Sequence, residues 1–229
     1  MNIISRYLFG TVRSGEPATH YPLCWSHQPT NDGAVLSEFR FTIGHLRLKG
    51  PNPQTSPCTM GLPCVISFTG VDLTDDNVIL LIQSTSTCGD IVPAEPAFSN
   101  MVETKQATAG STGATYELGT PKTGPPGTFK VCWSCGFING QTVAIPQNFK
   151  QYYKVTVGDF VMSGPNNPVN SACELSLDCT VTVTGHGLAA TNSIMLINYR
   201  VVHLDLLAEV FFHVHSDPFP FVFVHLKKS

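Results

Sequence analysis

The sequence predicts an all-β chain of stacked, disulfide-stapled sheets, and three observations predict it. Short β-branched and apolar runs are separated by turn punctuation, with 19 Gly and 17 Pro in 229 residues. No stretch of ten or more residues repeats apolar side chains at three and four positions, so helix is not expected. Eight cysteines, at positions 24, 58, 64, 88, 132, 135, 173 and 179, read as a disulfide set and therefore as an oxidising compartment.

The strands follow in order. Phe39-Arg-Phe41-Thr-Ile43 and Tyr153-Lys-Val155-Thr-Val157 alternate as half-buried strands, and each leads to a Gly-Pro-Asn turn, at 50–52 and 164–166. Cys64–Thr69 and Cys179–Thr184 are β-branched with period two. Val78–Ile82 is a continuous apolar run suited to a strand covered on both faces. Residues 94–115 are small and polar, which predicts a long loop or weak strands. Strand character returns at Phe129–Trp133.

These elements recur. Cys58-x5-Cys64-x4-Thr69-Gly70-x2-Leu73 aligns with Cys173-x5-Cys179-x4-Thr184-Gly185-x2-Leu188, an offset of 115 residues (173 less 58) that holds through Asn77–Ile82 against Asn192–Ile197. Upstream, Ile43-Gly44 pairs with Val157-Gly158, and Cys24-Trp25-Ser26 with Cys132-Trp133-Ser134. A unit of this size fits an immunoglobulin-like β-sandwich. The expected organisation is one complete module flanked by two partial ones. Residues 1–44 hold the closing strands of a preceding module, 45–164 the complete module, and 165–197 the opening strands of a following one. Residues 198–229 form an aromatic tail with no counterpart in the first copy, read as a mispredicted gene end, with a capping or binding strand as the alternative.

Eight cysteines leave connectivity open in principle, and the repeat narrows it. Cys58 with Cys64, and Cys173 with Cys179, recur as units and are expected to close small loops, each contributing about 2–3 kcal/mol. Cys88 is expected to pair with Cys132. Cys24 corresponds to Cys132 and is expected to be unpaired, its partner lying upstream of residue 1. Cys135 has no counterpart and is expected outside the disulfide set.

Cys-Trp-Ser, Val-Gly, Gly-Pro-Asn and the Cys-x5-Cys-x4-Thr-Gly-x2-Leu signature together resemble modules of large extracellular proteins of algae and other protists, such as the mastigoneme-type proteins of flagellar hairs. The resemblance covers about residues 15–197. It implies tandem immunoglobulin-like modules packed with neighbouring modules and identical chains in a filament or cell coat, often glycosylated. The signal peptide, the following cysteine and the rest of the array are missing from this chain.

The function classes narrow accordingly. A net charge of −3 and 13% charged residues give no electrostatic footprint for nucleic acid or an anionic membrane. No apolar run reaches the length of a membrane span. The first ten residues, interrupted by Ser5 and Arg6, do not read as a signal peptide, so an extracellular or cell-surface chain of this kind is expected to be a piece of a longer one.

Cys132-x2-Cys135 has zinc-ligand spacing but lacks a second such pair nearby. Asp72, Asp75 and Asp76 could suggest calcium. The second copy carries Gly187, Ala190 and Thr191 there, so a turn is the better reading. His213, His215 and Asp217, with His203 and His225, lie in the divergent tail, and His186 is read as a loop residue. Trp25 and Trp133 are expected to pack in cores against a disulfide rather than stack on sugars. No Asn-x-Ser/Thr sequon occurs. Without a nucleophile elbow or acids shared by both copies, no catalytic, cofactor or metal site is expected. The expected role is a non-catalytic structural or interaction segment. A carbohydrate-binding or adhesin module, using the 94–128 loop or the sandwich ends, is the alternative.

Overall fold

In the computed structural model, residues 6–30, 36–109, 113–138, 141–144, 149–167 and 169–195 are described. The chain divides into two compact units, Met1–Gly187 and Leu188–Ser229. The first is all-β. In chain order its strands are β1 (Ala18–Trp25), β2 (Phe41–Leu48), β3 (Gly50–Pro51), β4 (Ser56–Thr59), β5 (Cys64–Val71), β6 (Val78–Gln83) and β7 (Thr104–Gln106). Then come β8 (Thr108–Ala109), β9 (Gly113–Gly119), β10 (Gly127–Ser134), β11 (Phe137–Ile138), β12 (Gln141–Ala144), β13 (Val155–Pro165) and β14 (Gly185–His186).

Two sheets carry the core. One has strand order β3-β5-β9-β8. The other runs β14-β13-β10-β6-β7, with β4 lying parallel to β13. Alternation along β5 turns Cys64, Ile66 and Phe68 inward and leaves Val65, Ser67 and Thr69 exposed. Ile66, Phe68, Tyr116 and Leu118 of the first sheet meet Ile79, Leu81, Val131, Trp133, Val157 and Phe160 of the second in one buried cluster. Each large side chain so removed from water contributes about 1.5–3 kcal/mol.

The unbroken apolar run of β6 has its explanation on the far side of its sheet. Val78, Leu80 and Ile82 are buried there with Cys88, Cys132 and Tyr153, beneath Tyr152 of a 3-10 turn at Lys150–Tyr152. A strand covered on both faces cannot alternate. Among the described residues of 94–115 lie the short β7 and β8, the first residues of β9, and a bridge from Met101 to Gly119.

Two expectations are corrected. Cys179–Thr184 does not form a strand: pairing begins only at Gly185, whereas its counterpart β5 is a full strand. The physical reason is the neighbour, because β5 has β9 along its edge and Cys179–Thr184 has no such strand beside it among the described residues. A lone extended segment leaves its N–H and C=O groups to water. Trp25 is not in a core either. It is 41% exposed, against 7% for Trp133, because no sheet covers its face among the described residues. Residues 198–229 lie outside the described residues, and with them His203, His213, His215, Asp217 and His225.

Candidate interaction site

The Gly-Pro-Asn turn builds the same junction twice. At the first, Gly50 and Pro51 of β3 pair with Val71 and Gly70 of β5. At the second, Gly164 and Pro165 of β13 pair with His186 and Gly185 of β14. The Asn52 backbone N–H donates to the Thr69 carbonyl at 2.7 Å, and its side-chain Nδ2 donates to Thr69 Oγ1 at 3.0 Å. Asn166 makes the same two bonds to Thr184, at 2.7 and 2.8 Å. Glycine is required opposite each proline, since a Cβ on Gly70 would run into the Gly50 carbonyl and one on Gly185 into the Gly164 carbonyl. Pro, lacking an N–H, suits this outer position of the ladder.

The next turn recurs as well. Asn77, buried, accepts from the Thr74 backbone N–H through Oδ1 at 2.9 Å. In the second unit Asn192 accepts from the Ala189 N–H through Oδ1 at 2.6 Å. An Asn side chain mimicking a backbone turn explains why this residue is kept when the aspartates before it are not. Asp72 is held in ion pairs by Arg47 and Lys49.

Upstream of each junction lies an antiparallel pair with one irregularity in a fixed place. In β1–β2, Leu23 faces Gly44 and Cys24 faces Thr42, so Ile43 bulges out of register. In β10–β13, Val131 faces Gly158 and Cys132 faces Thr156, so Val157 bulges. A Cβ at Gly158 would meet the Gln54 carbonyl, which explains the second glycine.

The environments of the two pairs differ. β10 carries β6 on its other edge, whereas β1 pairs only with β2 among the described residues. Tyr21, Trp25, Ile43 and Leu46 are 37%, 41%, 56% and 40% exposed. Their counterparts Phe129, Trp133, Val157 and Phe160 all lie in the main core. Among the described residues, the β1–β2 hairpin thus has a part-exposed apolar face and one edge with no strand paired to it.

The cysteines sit within this frame. Disulfides join Cys58 to Cys64, Cys88 to Cys132, and Cys173 to Cys179. Cys24 is exposed, its Sγ 3.9 Å from Thr42 Oγ1, while the matching Thr156 hydroxyl donates to Cys88 Sγ at 3.2 Å. Cys135 is exposed and its carbonyl accepts from Asn77 Nδ2 at 3.3 Å. Cys132 is committed to Cys88 and so unavailable to a Cys132–Cys135 metal pair. Trp133 points away from its neighbour Cys132, as adjacent strand residues must, and shares the main core with Cys58 and Cys64 instead.

Sequence reasoning missed the small second core under Tyr152 and Tyr153. Burial, and next the nearby Glu95 carboxylate, push the Tyr153 phenol up to about 12. Glu95 is itself ion-paired to Lys150. Burial also raises the Tyr116 phenol, opposed by Trp133 beside it. No sequence signal marked these residues, since their burial depends on a turn packing onto the outer sheet face. An open recess of about 400 Å³ is lined by Thr123, Gly124, Pro125, Pro126, Asn166 and Asn167, none of them titratable. No helix among the described residues is long and apolar enough to cross a membrane. No family model, no curated protein and no solved structure matches the chain.

Proposed function

We propose that this chain is a non-catalytic structural segment of a secreted or cell-surface protein, built from tandem immunoglobulin-like β-sandwiches that pack with neighbouring modules and identical chains. The observation that carries the reading is the repeated junction. The same Gly-Pro/Thr-Gly pairing and the same two Asn–Thr hydrogen bonds stand at both ends of residues 45–164. A strand that closes one module runs directly into the pairing that opens the next, as a stacked array needs.

Strand order supports the immunoglobulin-like assignment. If β3 and β4 together are the first strand, and β7, β11, β12 and β14 are set aside as additions, one sheet reads first, second, fifth, fourth, and the other seventh, sixth, third, the arrangement of such sandwiches. One departure is clear: Cys88–Cys132 lies in the outer cluster rather than between the sheets. Three disulfides support an oxidising, extracellular setting. Likeness to mastigoneme-type modules rests on the repeat signature.

The test is location and ligand together. Antibodies against the module should decorate a coat or filament on unpermeabilised cells, and the chain should bind no sugar on a glycan array. Labelling confined to the cell interior would defeat the reading, and saturable binding of one glycan class would favour an adhesin.

A further inference from the structure

His20 and His45 are far apart in sequence, and the β1–β2 pairing brings their rings together. His45 lies opposite Pro22, and His20 sits two residues before Pro22, so the two are diagonal neighbours on one sheet face. Their ring centres are 5.4 Å apart, with the planes at 81°. Two imidazoles on one tetrahedral ion, with metal–nitrogen bonds of about 2.0–2.1 Å, have ring centres about 5 Å apart. The backbone therefore already sets the spacing of a chelating pair. Rotation about χ2, a broad two-fold torsion in histidine, aims the nitrogens. The Thr19 hydroxyl lies 2.6 Å from His20 Nδ1. With a metal on Nε2, Nδ1 carries the proton and donates to Thr19 Oγ1, the kind of outer contact that fixes a ligand ring. Arg47, the next residue on this face of β2, is ion-paired to Asp72, which offsets its charge beside the site.

Access to this pair does not depend on the hairpin being bare. In the complete module, Thr128 of β10 and Asp159 of β13 hold the two equivalent positions. Both are exposed, although β10 is paired on both edges and its inner face lies in the core. A strand added to the hairpin's edge and a sheet over its apolar face would thus leave His20 and His45 open to solvent. Threonine and aspartate in those places also show that the fold does not demand histidine, so packing does not account for the pair.

We propose that His20 and His45 form a site for a late first-row divalent cation, Zn2+ or Cu2+, which clips β1 to β2. Imidazole suits those ions, whereas Mg2+ and Ca2+ need oxygen ligands. No third His, Cys, Asp or Glu completes a group with them among the described residues, so water fills the remaining positions and the ion exchanges readily. By joining two strands that are marginal alone, the ion stabilises the hairpin through mass action. The site stands whether or not the modules form an array.

The test titrates Zn2+ into the full chain by calorimetry. His186, His203, His213, His215 and His225 are replaced by Asn, and Cys24 and Cys135 by Ser, to remove competing donors. One ion should bind per chain. His20→Ala and His45→Ala should each weaken binding by about tenfold or more, since the second imidazole of a chelate acts at high effective concentration. The double variant should be little worse than either single one, because the two ligands act as a unit. Both side chains are exposed, so neither change threatens the fold. His27→Ala, beside Trp25, should leave binding unchanged. Zn2+ should also slow hydrogen exchange at Leu23 and Leu46, and His20→Ala should remove that effect. Absence of saturable binding, unchanged affinity in either single variant, or an equal loss from His27→Ala overturns the proposal. Binding that leaves exchange in β1 and β2 untouched overturns the clip.

Discussion

At the scale of single residues, the same amino acid at two equivalent positions experiences different forces. Gly44 and Gly158 both face the residue before a bulge, but a Cβ at Gly44 meets nothing while one at Gly158 strikes the Gln54 carbonyl. Both glycines hold backbone angles that side chains disfavour, φ +157° at Gly44 and +137° at Gly158, so the clash alone separates them. Each Gly→Ala change should cost about 1–3 kcal/mol in urea unfolding, and Gly158→Ala should cost the more of the two because the clash adds to the strain.

Tyr153 gives a second residue-scale prediction. Below pH 10 both folded and unfolded chains keep the phenolic proton. Between 10 and about 12 the unfolded chain releases it and the folded chain does not, so stability falls as pH rises through that window, by on the order of 2 kcal/mol. Tyr153→Phe should flatten the slope of the urea midpoint against pH in that range. An unchanged slope would mean that the phenol is not buried as described.

At the scale of elements, the disulfides differ by the loop each closes. Cys58–Cys64 spans a sequence separation of 6 and Cys88–Cys132 one of 44. Loop-closure entropy makes removal of the longer bond cost about 4 kcal/mol and the shorter about 2–3. Denaturant unfolding of the Cys88→Ala/Cys132→Ala and Cys58→Ala/Cys64→Ala double variants should rank them in that order. Strand formation obeys a similar rule of context. β5 and Cys179–Thr184 have matching patterns, yet only the one with a neighbouring strand pairs along its length.

At the scale of the whole molecule, the first unit holds a well-packed two-sheet core and a hairpin that no other sheet covers among the described residues. Two strands alone are marginal in water, whereas β10, paired on both sides and buried on both faces, opens only when the core does. Hydrogen exchange should find the amides of Val131 and Cys132 protected to the global limit and those of Leu23 and Cys24 exchanging through local opening.

The sequence by itself determined the periodic features. Alternation in Cys64–Thr69, the two-sided burial of Val78–Ile82, and the paired Gly-Pro-Asn turns were legible because backbone pleat and turn chemistry act over a few residues. Recurrence at an offset of 115 also grouped Cys58 with Cys64 and Cys173 with Cys179, the pairs that two of the disulfides join. Only the tertiary structure decided which copies of a pattern become strands, which tryptophan is buried, and that Tyr153 sits beneath a turn. It also revealed that the bulges at Ile43 and Val157 match, and that β4 runs parallel to β13. Those outcomes depend on a partner distant in sequence, and the free energy of burial and pairing exists only once that partner is in place.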